Sequence, residues 1–100
     1  MGALAANRAR GEATAVLAGR ERRMCLTLGA LAEIEAGLGL QGIGELAGRM
    51  KAPSATDLTV VLAAVLRGGG EVELAQTLAT APVDPREAAE AVAAAFAAAG

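Results

Sequence analysis

The residues able to do chemistry are few: one cysteine, eleven carboxylates, nine cations and no histidine. Without histidine, Ser-His-Asp and Cys-His nucleophiles are excluded, as are histidine-held metals. Cys25 follows Arg23 by two residues, and a neighbouring cation lowers a thiol's pKa. A lone cysteine in an apolar alternation reads more simply as a small, half-buried hydrophobe. Glu33 and Glu35 resemble a carboxylate pair, but two residues apart on a helix they diverge by about 200° and cannot meet on one substrate. Glu71 and Glu73 fail in the same way, and they stand where a helix start favours anions. Gly68-Gly69-Gly70 suggests a phosphate loop, yet it follows a helical pattern and lacks the completing Gly-Lys-Ser/Thr. It reads as a helix stop and flexible connector. Gly37-Leu38-Gly39 has no strand before it, as a dinucleotide site requires. No residue is assigned to catalysis, to a cofactor or to a metal. The function expected is therefore binding or assembly, not an enzymatic one.

Arg20, Arg22 and Arg23 form the densest basic cluster and a candidate basic surface. Such a hairpin could contact phosphates. No aromatic residue stands nearby to stack a base, and the net charge is −2. These features argue against a nucleic-acid partner and favour a solvated strand edge whose charges block unwanted pairing.

The elements that hold these residues follow from periodicity. Residues 1–11 read as a loose arm, and 12–100 as one domain. Glu12 to Leu17 has strand character, Ala18-Gly19-Arg20-Glu21 supplies a Gly-containing turn, and Arg22 to Leu26 returns with Met24 and Leu26 on the buried face. Thr27 caps a helix carrying Leu28, Leu31, Ile34 and Leu38, which Gly37 and Gly39 end. Ile43, Leu46 and Met50 mark a short helix. After Pro53, Ser54 and Asp57 start the clearest apolar stripe: Leu58, Val61, Leu62, Val65 and Leu66. A short helix runs from Glu71 to about Thr80. Asp84-Pro85-Arg86-Glu87 then starts a last helix bearing Ala88, Val92, Ala95, Phe96 and Ala99 on one face. The fold class expected is α+β, mostly α: an N-terminal β-hairpin followed by four or five short helices.

Composition sets the energetics. Alanine supplies 27 of the 54 hydrophobic residues, and Phe96 is the sole aromatic. At about 25 cal/mol per Å² a buried methyl contributes far less than a leucine, so contacts with a partner or with a second copy would add burial that the chain lacks. Charge is uneven: residues 1–26 carry five arginines against two glutamates, and the rest carries four cations against nine anions. Such asymmetry can orient head-to-tail self-association or steer a charged partner, but more often it is only a solvated surface. Val92 and Phe96, one turn apart among alanines that admit a second helix, are the candidate partner-binding residues; equally, Phe96 reads as closing the core. The absence of paired cysteines, of a secretory leader and of a long apolar run points to a cytoplasmic protein without a membrane span.

The order of motifs adds a resemblance. Ala6-Asn7-Arg8-Ala9-Arg10-Gly11-Glu12, then Arg23-Met24-Cys25-Leu26-Thr27-Leu28-Gly29-Ala30-Leu31-Ala32-Glu33-Ile34-Glu35, and later Asp57-Leu58 through Leu66-Arg67-Gly68-Gly69-Gly70, resemble the small tail protein family of gene transfer agents and related tailed phages of α-proteobacteria. That family is described as tail-tube related and is grouped with phage tail assembly chaperones. The resemblance covers about residues 6–96. It implies an assembly chaperone that holds the tape-measure protein, with other tail proteins and itself as partners. The alternatives are a structural tail (tube) component of the particle and, apart from the resemblance, a regulatory helical module that binds nucleic acid.

Overall fold

The computed structural model describes residues 11–100. The expected arm lies outside them except for Gly11. Two antiparallel strands come first, β1 (Glu12–Leu17) and β2 (Arg20–Cys25), with Glu12 opposite Cys25 and Leu17 opposite Arg20. Five helices follow: α1 (Leu28–Leu38), α2 (Leu46–Arg49), α3 (Ala55–Gly68), α4 (Val72–Thr77) and α5 (Pro85–Ala99). This is the α+β, mostly helical architecture read from the sequence.

The hairpin loop is Ala18-Gly19 alone, with φ of 51° and 88°. Two successive left-handed residues give a turn whose twist matches that of the strands, so β2 begins at Arg20, two residues earlier than the sequence suggested. Glycine takes this conformation freely, whereas Ala18 bears a cost of about 1 kcal/mol for its Cβ.

Local chemistry sets the helix ends. The Thr27 hydroxyl accepts from the Ala30 N–H at 3.0 Å and starts α1, and Gly39, at φ 68°, ends it. At α3 the Ser54 hydroxyl accepts from Asp57 N–H while the Asp57 carboxylate accepts from Ser54 N–H, so aspartate closes a box usually made by Glu or Gln. Asp84 and Glu87 do the same at α5, with Pro85 in the first turn.

Helix α3 is the hub. Residues 61–66 are buried without interruption, so Ala63 and Ala64 join the expected stripe. A helix apolar all round is one enclosed on every side. α1 and α5 pack against α3, while the hairpin lies across both long helices, β2 on α3 and β1 on α5.

Four sequence readings shift here. Gly37 does not end α1 but lies inside it, and a methyl there would stand 2.6 Å from a Val60 methyl, so glycine sets the α1–α3 approach. Leu28 lies 80% exposed at the start of α1 rather than on its buried stripe. It precedes Ile34 by six residues, about 240° around the helix. Residues 43–50 form a 3₁₀ turn (Ile43–Glu45) followed by the single turn of α2, with Leu46 buried and Ile43 exposed. The element expected to reach Thr80 likewise closes with a 3₁₀ turn, Leu78–Thr80.

Candidate interaction surfaces

Strand periodicity divides the three arginines. Along β2, Arg20, Arg22 and Met24 turn toward the helices, opposite Leu17, Ala15 and Ala13, while Arg23 turns away. Arg20 lies exposed beside Glu73 and Leu74 of α4. Arg22 is 8% exposed: its Nε donates to the Leu17 carbonyl at 3.0 Å, its Nη2 to the Ala18 carbonyl at 3.4 Å, and its Nη1 meets Glu71 Oε1 at 3.4 Å. Arg23, half-buried, approaches Glu12 at 3.8 Å. The expected solvated edge therefore holds for Arg20 and fails for Arg22, whose donors hold the tight turn. Arg20 and Arg22 share the helix side of the strand and Arg23 turns from it, so the three side chains do not lie on one face.

Glu71 is the residue that sequence reasoning undervalued. Read as an acidic helix start, it also ties the hairpin to the helices: besides Arg22, its other oxygen accepts the backbone N–H of Arg23 at 3.2 Å. The signal available was the two-residue spacing of Arg22 and Met24, which places an arginine on a buried face and so demands an acceptor.

The glycine triplet serves the same junction. Gly68 ends α3 and Gly70 has φ 91°. A methyl on Gly68 would lie 2.1 Å from the Cys25 carbonyl oxygen, and one on Gly69 2.1 Å from that of Arg23. The expected flexible connector is thus a close backbone seat for β2. Glycine is needed where two backbones come this near.

The carboxylates do not converge. Glu33 pairs with Arg67. Asp57, 5% exposed, pairs with Arg49 at 3.2 Å. The Ser54 backbone N–H holds the Asp57 pKa below its ordinary value against the opposing effect of burial, with help from Arg49. Among the described residues no three His, Cys, Asp or Glu side chains group to hold a metal ion. No helix there is long and apolar enough to cross a membrane.

A family model described as "Phage tail tube protein, GTA-gp10" matches residues 10–99. The chain belongs to this family. It is a tail-related protein of phages or gene transfer agents, and the family suggests other tail proteins as its partners. No curated protein and no solved structure matches it.

For a tail protein the surfaces that matter are those left for neighbours. Val92 of α5 is 5% exposed and joins the core, while Phe96 is half-buried against it. Phe96 is therefore only partly open to solvent. Among the described residues, the large apolar side chains most open to solvent are Leu28, Val16, Ile43 and Val72, at 80, 67, 52 and 48%. None was singled out from the sequence as a contact residue, because periodicity identifies faces covered within the chain and is silent on those left over. An open apolar cleft of about 200 Å³ lies between α3 and the start of α5, lined by Leu58, Leu62, Leu78, Val83 and Ala88.

Proposed function

We propose that this tail protein is an assembly chaperone that binds the tape-measure protein before tube subunits polymerise around it. The observation that carries this reading is the small strand content: the described residues hold one two-stranded hairpin and a helical body. A tube wall is built by subunits whose sheets continue one another, and such a subunit needs a larger β-rich fold. A chaperone needs reversible apolar contacts instead. Leu28, Ile43 and Val72 are exposed and Phe96 is partly buried, so apolar side chains are open to such contacts.

Co-expression with the tape-measure protein of the same gene cluster, followed by pull-down, tests the reading. Co-purification, with a tape-measure protein that aggregates when expressed alone, is the result expected. A tape-measure protein that stays soluble alone and fails to co-purify would end the chaperone reading. Phe96→Ala then separates roles: lost capture at an unchanged melting temperature makes Phe96 a contact residue, and loss of both makes it core.

The second reading, a structural component of the tail, is favoured by the family's own description as a tail tube protein. Purified particles decide between the two. Stoichiometric presence of this polypeptide supports the component, and its absence from particles that still require its gene for assembly supports the chaperone.

A further inference from the structure

The two edges of the hairpin are unequal. Arg23 donates its backbone N–H to Glu71, and its carbonyl faces Gly69. Arg23 and its partner Thr14 thus form a pair not bonded to each other, whose backbone groups point outward. On the β2 side Gly68, Gly69 and Glu71 occupy that edge. On the β1 side the alternation sends the N–H and C=O groups of Thr14 and Val16 away from β2, where none of the described residues bonds to them. Val16 adds a side chain 67% exposed.

Native edge strands are normally guarded by a lysine, a proline or a bulge. Residues 13–17 of β1, Ala-Thr-Ala-Val-Leu, carry none of these. A groove of about 310 Å³ runs along this edge, walled by Thr14, Val16 and Leu17 on one side and by Glu87, Glu90 and Ala94 of α5 on the other. The open edge therefore has an acidic rim.

We infer that the outer edge of β1 is a docking site for an extended segment of another protein that carries basic side chains at alternate positions. The added strand pairs with the outward groups of Thr14 and Val16. Its alternate side chains fall on one face, because the strand period is two, and there a lysine or arginine meets Glu87 and Glu90. A second copy of this chain is the poorer occupant. Its own β1 has no cation to answer the rim, and its β2 edge is already sealed. The inference does not depend on the chaperone reading, since any tail protein with such a segment fits.

The test uses the whole chain and a short fluorescein-labelled peptide in which valine and lysine alternate, with the valine–glutamate peptide as its counterpart. Anisotropy should show the lysine peptide binding at least about tenfold more tightly, which corresponds to about 1.4 kcal/mol. Glu87→Gln combined with Glu90→Gln should erase that preference, and glutamine still serves the α5 cap. In the unaltered protein the amides of Thr14 and Val16 should gain protection from hydrogen exchange when the lysine peptide binds. Val16→Pro, which removes an outward N–H and no hairpin bond, should abolish binding. Equal affinity for the two peptides, no binding, or binding without protection at Thr14 and Val16 would overturn the inference. So would a concentration-dependent dimer that Val16→Pro dissolves, for that would seat a second copy on the edge.

Discussion

Removing the Glu71 carboxylate should loosen the hairpin from the helical body. Two interactions end there. The Arg23 backbone N–H, bonded at 3.2 Å, is left without its acceptor. An unmade bond at a partly buried donor costs about 1–3 kcal/mol. Arg22, whose side chain is 9% exposed, loses the anion at 3.4 Å but keeps the Leu17 and Ala18 carbonyls. A buried ion stripped of every partner would cost roughly 3–5 kcal/mol, and the retained carbonyls bring the loss well below that. Together Glu71→Ala should destabilise by about 2–4 kcal/mol, or roughly 10–25 °C in melting temperature for a domain of this size. Glu71→Gln keeps an acceptor for Arg23 and should lose about half as much. Urea unfolding followed by far-ultraviolet dichroism measures both. Hydrogen exchange at Arg23 localises the effect, because that amide should lose protection before the α3 core does. If Glu71→Ala unfolded within about 0.5 kcal/mol of the unaltered chain, the assignment of Glu71 as the hairpin's tie would be wrong.

Other substitutions probe the remaining joints. Gly69→Ala forces a methyl to 2.1 Å from the Arg23 carbonyl oxygen and should cost at least about 2 kcal/mol, whereas Gly48→Ala, with open space around it, should be neutral or stabilising by up to about 1 kcal/mol; paired thermal melts compare them. Leu62→Ala, at a site 1% exposed, should cost about 2–5 kcal/mol in urea unfolding, and an unchanged midpoint would remove Leu62 from the core. Asp57 titrates below its ordinary value of 3.8 in the folded chain, so its contribution is fully present above that pH and disappears as the pH falls through the lowered value. Acid unfolding of Asp57→Asn should accordingly lack this component, and identical acid profiles for the two proteins would contradict the assignment.

Much of the architecture was legible along the chain because it depends on neighbours in sequence. Thr27, Ser54 with Asp57, and Asp84 with Glu87 satisfy N–H groups three residues away, so their types and spacing disclose three helix starts. The stripe from Leu58 to Leu66 and the alternation around Met24 identify buried faces for the same reason. The order of motifs along the chain resembles the tail family to which the chain belongs.

What only the tertiary structure decided are the meetings between distant segments. Arg22 and Glu71 stand 49 residues apart, and no local pattern states that one helix start will satisfy a strand. The glycine triplet looks the same in sequence whether it ends a helix or lets two backbones touch. Its second role exists only because β2 lies against Gly68 and Gly69. Three neighbouring arginines read as one basic patch until the strand's two-residue period sends Arg22 inward and Arg23 outward. Leu28 reads as part of the α1 stripe, and the packing of α1 leaves it at the surface. Local hydrogen bonding and periodicity are properties of the chain. Which faces remain uncovered is decided by packing.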